Sequence, residues 1–128
     1  MSGPLRHVRR SDLTEGDPTP GMRREQAVVT ERLWSGLVHT EPQMASGWHH
    51  HGAYETVIYV TSGRLRLECG PGGRTVVDAG PGDFVHVPAA AIHRESNPTE
   101  ELATLVVVRA GEGAPTVNVD GPEADPSG

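Results

Sequence analysis

The sequence contains no lysine; all 11 basic residues among its 128 are arginine. Without a lysine amine there is no Schiff-base chemistry and no P-loop. A single cysteine, Cys69, excludes an internal disulfide framework. No apolar run approaches the ~18 residues of a transmembrane helix, and no helical periodicity of useful length or internal repeat appears. Basic residues are never densely clustered, and 17 acidic residues bring the net charge to −6. Nucleic acid and anionic membrane are therefore not expected partners. The first residues lack the charged and apolar regions of a signal peptide, so the expected location is cytoplasmic.

Turn formers, by contrast, are abundant: 16 glycines and 11 prolines in a chain long enough for one domain. Such a chain must reverse direction often, which favours short strands. Residues 1–25 are polar, contain Gly3-Pro4, Asp17-Pro18 and Pro20-Gly21, and read as an arm with little regular structure. Residues 114–128, rich in proline and acidic side chains, read as a flexible tail. Strands are expected between them at 27–29, 33–39, 56–61, 64–69, 74–78, 83–87 and 102–109. Arg64-Leu65-Arg66-Leu67 alternates charged and apolar residues, as in a strand with one face on a core. The expected fold class is all-β, a small antiparallel barrel or sandwich.

Three of the seven histidines are consecutive: His49, His50 and His51. Side chains alternate along a strand, so His49 and His51 share a face and His50 points away. Two imidazoles two residues apart can ligate one metal ion. A third from a neighbouring strand, such as His93, completes a facial set with open positions, which suits a catalytic divalent metal. Glu55 is close enough in sequence to add a carboxylate. The competing reading of an isolated His-X-His is a solvent-exposed loop without function.

The order Gly82, Pro88, Ala90, His93 and Asn97 closely resembles the second cupin motif, and His49, His51, Glu55 and Gly63 resemble the first. The resemblance covers about residues 33–109 and implies a small β-barrel or jelly roll over 26–113. It also implies a metal held by His49, His51 and His93, with Glu55 as fourth ligand. Ala90 stands where that pattern has glycine, and no glycine stands at the usual distance before His49. Seven residues rather than six separate Glu55 from Gly63. If Thr56, Ile58 and Val60 face inward, Glu55 faces outward unless a bulge re-aims it, leaving a three-histidine site.

The metal expected is one divalent transition ion: iron, manganese, zinc, nickel or copper. Glu55 and His86 are the candidate general acid/base residues. Arg94 is a candidate carboxylate binder, whereas the alternation at Arg64 and Arg66 favours a solvated face. Asn97 and Asp83 are read as turn-fixing residues, and Cys69 as structural. The resemblance implies a metal-dependent enzyme acting on a small organic molecule, as a dioxygenase or a Lewis-acid isomerase or cyclase. The other reading is a non-catalytic module binding a metal or a small ligand. A homodimer is expected, because a short barrel with an arm can bury its edge strands against a second copy.

Overall fold

The structure, a computed structural model, describes residues 3–113 and 116–125. Its strands are β1 (Thr14–Glu15), β2 (Met22–Val29), β3 (Leu33–Thr40), β4 (His49–His50), β5 (Glu55–Ser62), β6 (Leu65–Cys69), β7 (Thr75–Ala79), β8 (Phe84–Val87), β9 (His93–Ser96), β10 (Ala103–Ala110) and β11 (Val117–Asn118). One 3-10 turn, Arg10–Asp12, is the only helical element among the described residues. Accordingly, no helix among them is long and apolar enough to cross a membrane.

The strands form two antiparallel sheets. One runs β1-β2-β3-β10-β5-β8 and the other β11-β4-β9-β6-β7. The expected all-β class holds, as a jelly roll of two sheets that do not close into a barrel. Period-two alternation explains why the sheets face each other. Along β5, Thr56, Ile58 and Val60 are buried while Glu55, Val57 and Thr61 are exposed. Along β10, Ala103, Leu105 and Val107 are buried, and along β6, Leu65 and Leu67. Strands that present one apolar row each must bury those rows against one another. The core accordingly takes Val38, Ile58, Val60 and Leu105 from one sheet and Leu65, Leu67 and Ala79 from the other.

The two chain ends differ from the sequence expectation. Within residues 1–25, β1 and the start of β2 extend the six-stranded sheet, Thr14 pairing with Gln26. Proline and glycine mark that segment as turn-rich, yet the free edge of β3 supplies a partner ladder that composition does not reveal. The expected tail begins at residues 114–115, which lie outside the described residues, as do 126–128. Inside it, Val117 and Asn118 pair with His50 and His49 as an edge strand.

Two turns hold the site strands in place. Gly63 has φ +77°, and a Cβ there would come within 2.6 Å of the Ala103 Cα, so the turn after β5 requires glycine. Ala90 sits at φ +61° and donates its N–H to the Gly52 carbonyl at 2.8 Å. That bond ties the segment before His93 to the segment after His51. Asn97 is fully buried and donates its amide to the carbonyls of Thr40 and Glu101, fixing the connection from β9 to β10. Asp83 accepts the Gly80 N–H at 2.8 Å, the turn-fixing role expected of it.

Candidate metal centre

β4 lies beside β9 with His49 directly opposite His93. Cross-strand partners on one face stand close enough for their side chains to touch. His51 lies two residues on from His49, and Glu95 two on from His93, so both return to the same inner face. All four side chains are buried, and one donor atom from each lies within 4.8 Å of the others. The ring centroids are 4.4 Å apart for His49–His93, 5.0 Å for His51–His93 and 5.2 Å for His49–His51.

Backbone carbonyls orient two of the rings. The Nδ1–H groups of His49 and His93 donate to the carbonyls of Gly47 and Ala91, each at 2.9 Å. A carbonyl only accepts, so each Nδ1 carries the proton and each Nε2 is turned toward the cluster. His93 Nε2 lies 3.2 Å from Glu95 Oε1, and His49 Nε2 lies 3.9 Å from the same oxygen.

Burial and pairing compete at these groups. Burial alone would push the Glu95 carboxyl up, but the hydrogen bond from His93 and the three imidazoles hold it well below the usual carboxylate range. Burial pulls His93 down, yet its bond to Glu95 and that negative charge leave it above the ordinary histidine value. His49 is farther from the carboxylate, and burial prevails there, leaving it below that value. Metal-free, the cluster thus holds a hydrogen-bonded His93–Glu95 pair beside His49 and His51.

Sequence reasoning offered Glu55 as a fourth ligand unless strand parity turned it outward, and His86 as an acid/base candidate; the structure places both on the outer surface. Thr56, Ile58 and Val60 take the inward positions of β5, which turns Glu55 outward. Its side chain is 62% exposed and meets the 56%-exposed His86 of β8 across the outer surface, Oε1 to Nε2, at 2.6 Å. Neither residue lines the cavity beside the cluster, so neither the ligand role nor the acid/base roles follow from their positions. The carboxylate that joins the histidines is Glu95, which sequence reasoning missed. The parity argument used for His49 and His51 would have found it, since His93-Arg94-Glu95 has the same two-residue spacing. His50 points away as expected, its Nδ1 accepting the Gly52 N–H at 3.0 Å. Arg94 stacks over Trp48 and pairs with Glu68, and Arg66 pairs with Asp78 on the surface.

His49, His51 and Glu95 open onto a cavity of about 320 Å³ between the sheets. Met22, Val38, Met44, Ile58, Leu105 and Val107 give much of it an apolar wall. Three imidazoles and one carboxylate form a donor set that divalent transition metals accept. Donors bound at about 2.0–2.2 Å from one ion lie at most about 4.4 Å apart, so this cluster is near ligand spacing before any ion closes it.

Residues 36–109 match the cupin-domain family. The chain belongs to the cupin family. Three solved structures with which this cupin shares its fold are the polyketide cyclase RemF from Streptomyces resistomycificus, KdgF from Halomonas sp. and the Bacillus subtilis oxalate decarboxylase. RemF aligns with a TM-score of 0.75 and 22% identity, over 93% of this chain and 88% of that one. KdgF aligns at 0.68 and 18%, over 84% and 94%. The decarboxylase, described with Mn(II) centres, aligns at 0.69 and 22%, over 83% of this chain and 30% of its own. A comparison with curated proteins finds no match.

Proposed function

We propose that this cupin is a metal-dependent enzyme that isomerises or cyclises a small organic molecule by Lewis-acid chemistry. The observation that carries the reading is the buried His49–His51–His93–Glu95 donor set, three of whose members open onto a cavity with an apolar wall. A bound divalent ion would polarise a substrate oxygen. The chain itself supplies the rest. His49 and His93 are held in ligand orientation by the Gly47 and Ala91 carbonyls. The apolar wall excludes water from the reacting group. Glu95 Oε1, 3.2 Å from His93 Nε2 and 3.9 Å from His49 Nε2, completes the donor set. The cyclase description of RemF supports the same class of chemistry.

The first experiment is metal analysis of untagged protein offered iron, manganese, zinc, nickel and copper in turn. One ion per chain in the wild type and none in His93→Ala is the expected result. A wild type that takes up none of the five overturns the proposal. With the metal known, small diketones are tested for isomerisation with and without dioxygen. Turnover that consumes oxygen would move the assignment to a dioxygenase. A metallated protein that converts no substrate would move it to a binding module.

A further inference from the structure

Three buried side-chain atoms among the described residues have no hydrogen-bond partner: Thr40 Oγ1, Thr56 Oγ1 and Arg109 Nε. Two of the three, Thr56 and Arg109, line the same cavity as the metal-ligand cluster. They are also cross-strand partners, Thr56 on β5 standing directly opposite Arg109 on β10. Thr56 is 1% exposed, and its neighbours on the same inward row, Ile58 and Val60, are apolar.

Arg109 is unusual for its position. It continues the inward row of Ala103, Leu105 and Val107, where an apolar residue would extend the core. Its guanidinium carbon sits 5.9 Å from the Trp34 ring centroid, the outer limit of a cation–π contact. No carboxylate among the described residues lies within ion-pair distance of it, although eleven other ion pairs form. The other arginine of the cavity, Arg24, is committed: its guanidinium donates to the Asp17 carbonyl and the Thr19 hydroxyl, both at 3.1 Å. A buried N–H donor without a partner is costly, and a ligand acceptor nearby would offset that cost.

Charge points the same way. The charged groups lining the cavity are Arg24 and Arg109 against Glu95, so its wall is net positive when the histidines are neutral. The chain as a whole is at −6. A divalent metal on the histidines adds to the positive sign. A positive, low-dielectric pocket inside an acidic protein selects a small anion.

We propose that Arg109, with Thr56 opposite it on the neighbouring strand, forms the carboxylate-binding end of the cavity, so that the substrate is a small organic carboxylate. A guanidinium and a hydroxyl both offer donors, which the oxygens of that group accept. The apolar wall takes the rest of the molecule. The inference deepens the proposed function by naming its substrate class, but carboxylate binding itself requires no metal and is measured without one.

The test is calorimetric titration of metal-stripped protein with benzoate and with its neutral counterpart, benzyl alcohol. Benzoate is expected to bind at least about tenfold tighter, as a charge-assisted hydrogen bond implies. Arg109→Gln is expected to weaken benzoate about 10- to 100-fold and to leave benzyl alcohol unchanged. Arg109→Lys retains the charge and restores part of the preference. Thr56→Val keeps the shape, removes the hydroxyl donor and is expected to cost at least about 3- to 10-fold. It carries the test if Arg109→Gln does not fold. Wild type that fails to prefer benzoate, or an Arg109→Gln or Thr56→Val protein that binds it as tightly as wild type, overturns the inference and leaves Arg109 as packing against Trp34. Metal content is read separately and is expected to be normal in all three variants. A protein that takes no metal yet prefers benzoate refutes the metal enzyme while leaving this site standing.

Discussion

Two of this protein's histidine–glutamate pairs lie in opposite environments, one buried and one on the outer surface. His93 and Glu95 lie two residues apart on β9, 3.2 Å from each other, with side chains 2% and 10% exposed. His86 and Glu55 meet across neighbouring strands at 2.6 Å, with side chains 56% and 62% exposed. By distance alone the outer pair is the better hydrogen bond. By environment only the inner pair has consequences. Water competes for every donor and acceptor of an exposed pair, whereas the inner pair interacts through protein. The inner pair also has company, since His49 and His51 complete a donor set that the outer surface lacks.

The largest effect expected from breaking the comparison is at Glu95. Glu95→Gln keeps the shape and removes the charge, leaving the buried His93 without its counterion. Breaking one half of a buried pair costs about 3–5 kcal/mol, and the metal-free protein should lose about that in a denaturant titration. Metal affinity should fall by roughly 10- to 100-fold or more in the same variant. A Glu95→Gln protein of unchanged stability and metal affinity would reduce the inner pair to the rank of the outer one.

The pH dependence of the metal-free protein comes next. Glu95 is held below its ordinary 4.5 in the folded state. Its contribution is therefore complete above 4.5 and lost as the pH falls through the depressed value. His93 is held above its ordinary 6.5. Its contribution is complete below 6.5 and lost as the pH rises through the raised value. The pair thus stabilises most between 4.5 and 6.5. His49, pushed down by burial, works against folding as the pH drops below 6.5 and trims the acid side of that window. Denaturant midpoints across the range should show this maximum in wild type and a flatter profile in Glu95→Gln. Bound metal should remove the alkaline loss, because the ion takes the place of the His93 proton.

The same contrast shows what could be read from the chain. Seven strands were legible because β-branched and apolar runs alternate and stop at glycine or proline, as in Thr56–Thr61 before Ser62-Gly63. The histidine ligands were legible because two-residue spacing on a strand is a geometric statement. β4 and β9 were not, since His49-His50 and His93-Arg94-Glu95-Ser96 carry no apolar signal; their inward rows are polar because they hold the site. That gap hid Glu95 and left Glu55 as the nearest carboxylate. Arg109 was hidden for a related reason. It ends the most apolar strand, where an arginine reads as the edge of a core rather than its lining.

The smallest effect belongs to the outer pair, and its smallness is the point. Glu55→Gln and His86→Asn are each expected to shift stability by less than about 0.5 kcal/mol and to leave metal content unchanged. The register requires this. Val57 stands opposite His86 and Thr56 opposite Val87, so a one-residue slip of β5 against β8 would be needed to bring Glu55 inward. Such a slip would also turn Ile58 and Val60 out of the core, exposing two side chains now 3% and 0% exposed. Metal lost in Glu55→Gln while Glu95→Gln retained it would mean that β5 runs in that other register. The core is then the witness: Val60→Ala should cost about 1–3 kcal/mol with Val60 buried as it is and little in the slipped register.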